Sequence, residues 1–137
     1  KTKIIKMENM FIEVQSKFDF EQTVAVLTEE ILAANWKVLV THNLQESLHK
    51  NGYEVLPVKV IELCNPHHSS KILSRDAERI YTNLMPCRIA VYDKSDGTTH
   101  VSLMNSGMLA AQLGGIVDEV MSAAFADSMA FIQLVKR

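Results

Sequence analysis

Apolar and polar residues alternate from Met10 to Ser16, with Met10, Ile12 and Val14 on one side and Glu13 and Gln15 on the other. That period of two predicts a half-buried strand. From Phe20 the period lengthens to three and four, through Val24, Leu27, Ile31 and Leu32, and predicts a helix reaching about Asn35. Asp19 with Gln22 fits its start as a loose capping box. Trp36 to Thr41 is short, β-branched and aromatic, so a second strand is expected there. Strand, helix and strand together read as a βαβ-like unit. Asn43 caps a short helix, Leu44 to Lys50, which Asn51-Gly52 ends.

Tyr53 to Cys64 reads as a third strand. Pro57 has no amide donor, so its first half should be an edge or a bulge. From Val58 it is nearly continuous in apolar residues. Asn65-Pro66 then starts a helix, cap residue first and proline in the first turn. Helical spacing continues to Met85, with a candidate interruption at Ser74 to Asp76, and Pro86 stops it. Cys87 to Asp93 and Thr99 to Met104 form a hairpin around Lys94 to Gly97. Asn105 to Ala111 is a short helix, Gly114-Gly115 a break, and Ile116 to Val135 the longest amphipathic helix. This order implies a two-layer α+β domain: about five strands in a mixed or antiparallel sheet, with helices packed on one face. Residues 10–137 are expected to be a single domain behind a flexible end, 1–9. An open sheet has edges, and edges invite a second copy, so a homodimer is expected.

Composition narrows the function classes. The chain has 137 residues and a net charge of −2, and its 14 Lys and Arg are dispersed apart from Lys1, Lys3 and Lys6. A phosphate-tracking groove needs clustered cations, so nucleic acid is not an expected partner. No apolar run reaches the roughly 18 residues that span a bilayer. The cytoplasm is the expected location if no export signal was removed before Lys1. Two cysteines are too few for a disulfide framework.

Candidate chemistry gathers at the end of the third strand. Cys64 comes just before the helix cap Asn65, where free amides favour a thiolate; a small buried apolar residue is the plainer reading. Glu62 shares a strand face with Cys64, and Arg88 in the next strand is a suitable ion-pair partner. If buried, Glu62 becomes a general-base candidate; structural pairing or plain exposure is the alternative. His67 and His68, with Cys64, Cys87 and His100, are weak metal candidates. Adjacent histidines point about 100° apart on a helix, so solvent-facing residues are the simpler expectation. No phosphate-cradling or nucleophile-elbow motif occurs, and the cofactor is unknown.

The runs YEVLPVKVIELCNP and LMPCRIAVYDKSDGTTHVSLMN, with the earlier WKVLVTHNLQESLHKNGYE, resemble the domain of unknown function 302 family over roughly residues 10 to 135. Cys64, Asn65 and Pro66 match one motif of that family; Pro86 and Cys87 match the other. Asn43, where the family often has Asp, and Asn105-Ser106, where a proline often follows, depart from it at cap and turn positions. The resemblance implies a small two-layer α/β fold, a tendency to dimerise, and no established activity. It also implies a break between the two motifs, for which Ser74 to Asp76 is the matching place. One straight helix of about 18 residues would span some 27 Å and separate the cysteines. A helix that doubles back would bring them to the same end of the sheet.

Three readings follow. The first is a homodimeric module binding a small ligand or partner near Cys64, with Cys87, Glu62 and Arg88 beside it. The second is a thiol-based redox enzyme or sensor, Cys64 reacting and Cys87 resolving. The third is a metal or haem site built from the cysteines and histidines.

Overall fold

Five strands form one sheet in the order β1-β5-β4-β3-β2 in the computed structural model, which describes residues 10–137. They are β1 (Phe11–Gln15), β2 (Lys37–Asn43), β3 (Val58–Cys64), β4 (Cys87–Asp93) and β5 (Thr99–Met104). The helices are α1 (Phe20–Ala33), α2 (Leu44–His49), α3 (Pro66–Leu73), α4 (Ser106–Leu113) and α5 (Gly115–Val135), with a 3₁₀ segment at Asp76–Leu84. The end expected to be flexible, 1–9, with its three lysines, lies outside the described residues.

Every neighbouring pair of strands is antiparallel, which removes the mixed-sheet alternative. The βαβ-like reading is corrected in one respect: β1 and β2 are opposite edges of the sheet, so α1 carries the chain across three intervening strands. The third strand is shorter than expected and begins at Val58, after Pro57. With no N–H, Pro57 cannot join the ladder; its carbonyl instead accepts from Asp93 N at 3.0 Å. The bulge falls elsewhere, in β2, where the register against β3 slips between Val38 and Val40.

One face of the sheet carries Ile61, Leu63, Ile89, Val91 and Val101, all fully buried. Leu27 and Ile31 of α1, and Phe131, Ile132 and Val135 of α5, close over them. Each such side chain contributes about 2 kcal/mol by leaving water, so this layer dominates stability. Trp36, just before β2, packs edge-on against Phe131 at 5.7 Å and donates its indole N–H to Asp127 at 3.3 Å. A second cluster, Ile72 with Ala110, Val117, Val120 and Met121, ties α3 and α4 to α5.

The long helix expected from Pro66 to Met85 breaks. Asn65 caps α3 by accepting from His67 N and His68 N. After Leu73 the backbone turns through extended Arg75, and the chain returns as the 3₁₀ segment. Arg79 Nη1 donates to Leu73 O at 2.8 Å, holding the two pieces back to back. At the far end of the chain, Gly114 has φ +67 and Gly115 φ +61, a left-handed pair that lets α5 turn back on α4.

The close approach of α4 to α5 depends on Gly107. A Cβ there would meet the Phe125 ring at 2.8 Å. Alanine normally gains about 1 kcal/mol over glycine inside a helix. Against a ring edge that close, overpacking of about 1–3 kcal/mol outweighs it. We expect G107A to destabilise the fold by about 1 kcal/mol. Urea denaturation checks this; a gain in midpoint at unchanged slope contradicts it.

Candidate functional site

Antiparallel pairing of β3 with β4 sets Glu62 opposite Arg88 and Leu63 opposite Cys87. The doubled-back excursion from α3 through the 3₁₀ segment therefore returns Cys87 to the end of the sheet where Cys64 left it. The two thiols sit one register step apart, so alternation turns them to opposite faces. Cys87 packs against the main core, and both cysteines are free thiols. Cys64 Sγ lies 3.5 Å from Ser69 Oγ, in the first turns of α3.

Glu62 and Arg88 form the ion pair expected from their positions, with Arg88 Nε 3.2 Å from Glu62 Oε2. Sequence reading left His42 without a role; it approaches the other oxygen of Glu62, Nε2 to Oε1 at 3.2 Å. A three-membered chain thus crosses β2, β3 and β4 on the face that no helix covers. Glu62 is its most sheltered member, at 17% side-chain exposure, and bridges the other two.

His67 and His68 part company. His67 is exposed, but His68 is only 18% exposed, which corrects the expectation that both face solvent. Its ring packs edge-on against Trp36 at 6.0 Å and its Nε2 lies 3.5 Å from Asp127 Oδ2. The reason is α3 itself, which packs against α5 and so turns one first-turn residue inward. His100, in β5, lies at the opposite end of the sheet, stacked on Tyr92 at 6.4 Å and 2.7 Å from Thr98 Oγ1. Among the described residues, no group of three His, Cys, Asp or Glu is placed to hold a metal.

Two features of the open face escaped sequence reading. At one end Glu13 accepts from Tyr92 Oη and from Lys94 Nζ, the latter at 2.9 Å. Those donors, Tyr92 first, hold the Glu13 carboxyl below its usual range. Tyr92 is pushed up, by burial first and then by Glu13. Both shifts favour the resting forms, phenol and carboxylate, so this cluster is an unpromising acid–base pair. The pattern marks Glu13 only as a polar residue on a strand. Its partners come from β4 and the turn that follows it, and no local signal predicts that β1 pairs with β5.

The second feature is a cavity of about 330 Å³. The β4–β5 ladder runs from Asp93–Thr99 only to Ala90–Ser102. Beyond it, Arg88 and Ile89 pair with β3 alone, and Leu103 and Met104 with β1 alone. The strands part, and the cavity occupies the gap. Phe11, Val60, Arg88, Ala90, Ser102 and Met104 line it from the open face; Leu103, Met121, Phe125 and Ser128 line it from the helix layer. Cys87 and Arg88 are thus in its wall, while Cys64 and Glu62 stand just outside it.

Cys87 is poorly suited to react. Burial first, then the neighbouring Cys64, push its thiol from 9.0 up to about 11. A thiol raised on folding contributes stability that is complete below the unfolded value and lost as pH rises through the folded one. We expect about 2 kcal/mol to disappear between roughly pH 9 and 11, and C87A to remove that part of the pH dependence. Urea midpoints at pH 8 and pH 10.5 on both proteins check it. In parallel, iodoacetamide should label Cys87 slowly at neutral pH; rapid labelling contradicts the assignment.

No curated protein matches the sequence. The fold is similar to the crystal structure of an uncharacterized conserved protein, DUF302, from Bacillus stearothermophilus, with a TM-score of 0.81. The two share 20% identity over 93% of this chain and 98% of that one, a likeness of fold. The family model described as "Domain of unknown function DUF302" matches residues 12–131. Spanning nearly the whole described sheet and its helices, that match shows that the chain belongs to the DUF302 family.

Proposed function

We propose that the protein is a homodimeric module that binds a small molecule in the gap between β4 and β5. The cavity carries this reading. Its volume, about 330 Å³, is at the small end of the range of ligand sites. Its walls are mostly apolar, with Asn83, Arg88, Ser102 and Ser106 as convergent polar groups. That mixture suits a ligand oriented by a few hydrogen bonds and held by burial. The site adjoins Cys64 without including it.

Support for the dimer comes from the β2 edge. Leu39 and Val40 are exposed there, with Leu44, Leu48, Tyr53, Val55 and Leu56 exposed along α2 and the segment that follows. Scattered exposed apolar residues are ordinary, but a cluster around one free edge marks an interaction surface. A two-fold axis sets such a patch against itself. The bulge at Leu39 disturbs the edge backbone, so side-chain packing rather than a continued ladder is the expected contact.

Thiol chemistry draws less support. Burial keeps Cys87 protonated, and the polar group beside Cys64 Sγ is the neutral Ser69 hydroxyl.

Two outcomes test the proposal. The neutral apolar fluorophore 1-N-phenylnaphthylamine should bind saturably, at roughly micromolar strength. A90L, which puts a larger side chain into the cavity wall, should abolish that binding without unfolding the protein. Unsaturable binding, or equal binding by A90L, defeats the ligand-site reading. Light scattering should give twice the 15.4 kDa chain mass. L39D combined with L48D should give the single mass; a monomeric parent protein at high concentration defeats the dimer.

A further inference from the structure

Every side chain lining the cavity is uncharged except Arg88. Glu62, outside the wall, takes Arg88 Nε with one oxygen and faces His42 with the other. Both carboxylate oxygens are therefore engaged, one by β2 and one by β4. The Nη groups of Arg88 make no hydrogen bond or ion pair among the described residues. A guanidinium with its Nη edge free offers a planar pair of donors, the geometry that matches a carboxylate.

Apart from Asn83 and the hydroxyls of Ser102, Ser106 and Ser128, the wall around that donor pair is apolar. Phe11 and Met104 are 56% and 40% exposed at the outer side of the gap, large apolar side chains left in water with the cavity between them and Arg88. Inward are Leu103, Met121 and Phe125. The cavity is thus one cation beside an apolar slot that reaches through the sheet towards α5. We propose that it takes a small amphipathic organic anion, an aliphatic or aryl carboxylate. Its carboxylate rests on the Arg88 Nη edge and its apolar body lies between β4 and β5. This deepens the ligand-binding reading above and rests on it.

Magnitudes decide how strong the preference is. Arg88 is 57% exposed, and Glu62 cancels part of its charge. A carboxylate should therefore gain about tenfold over a neutral ligand of the same tail, the low end for a charge-assisted hydrogen bond.

Calorimetric titration of the full chain with octanoate, 1-octanol and octylammonium separates the possibilities. Octanoate should bind about tenfold tighter than octanol, and octylammonium weakest. R88M, which keeps the apolar stem, should bring octanoate down to the level of octanol and leave octanol unchanged. R88K should recover part of the difference. Arg88 is 57% exposed, so loss of its pair with Glu62 costs the fold little, R88K keeps a cation there, and the three-ligand comparison on the unaltered protein needs no variant. If octanol binds as well as octanoate, or R88M binds octanoate unchanged, the anion assignment is overturned while the cavity remains a ligand site. If none of the three binds, both readings fall together.

Discussion

Because Leu63 pairs with Cys87 in an antiparallel ladder, the chain that leaves the sheet at Cys64 must come back to the same end before β4 can start. A continuous α-helix over that span rises about 1.5 Å per residue and would deliver the chain to the far end. The break after Leu73 satisfies the constraint: Ser74 ends α3, Arg75 is extended, and the 3₁₀ segment runs back against it. The register of β3 with β4 then follows, and with it the Glu62–Arg88 pair and the placing of Cys87 against the core. The two cysteine motifs of the sequence are, on this view, the two ends of one excursion. Asn65 and Pro66 start it, Pro86 and Cys87 finish it, and the cap and proline roles account for those residues without invoking chemistry.

The same return path explains the cavity. β4 enters the sheet alongside β3, and β5 leaves it alongside β1. The two strands are tied to each other only from Ala90–Ser102 to the hairpin. Nothing in the ladder closes the other end, and side chains from α5 reach the gap from behind. Phe125 is one of them, and its position is fixed by Gly107, which lets α4 lie directly over the ring. A sheet normally separates a solvent face from a core face; here the parted strands let one cavity touch both. That is why its lining mixes Arg88 and Ser102, which belong to the open side, with Met121 and Phe125, which belong to the buried side.

Local physics made much of this legible. Alternation found β1, the hairpin signal found β4 and β5, the three-four spacing found α1 and α5, and Asn43 and Asn65 were readable as caps, which they are. The Glu62–Arg88 pair was also legible, since two facing strands joined by an excursion leave few partners for a carboxylate in an apolar run. What stayed hidden depends on contacts distant in sequence. Strand order is one case: α1 links β1 to β2 in the chain yet places them at opposite edges, because β5 takes the place beside β1. His68 is another. Its neighbour His67 has the same local signals, and only the packing of α3 on α5 decides that one ring meets Trp36 and Asp127 while the other meets water. The cavity is the extreme case, since it arises from where a ladder stops, and no residue type announces that.

The open face has two polar groupings, and their chemistry differs for a physical reason. At the hairpin end, Glu13 accepts from Tyr92 and Lys94, and those donors favour its carboxylate form. At the other end, Glu62 is shared between His42 and Arg88, and it occupies only Nε of a five-donor group. A closed pair holds strands together, whereas a partly used guanidinium can hold strands and still receive a further acceptor. The second grouping touches the cavity between β4 and β5, and it does so through Arg88. The residue that completes the β3–β4 pairing is therefore also the one that gives the gap its charge, so the register that built the sheet set the polarity of the site as well.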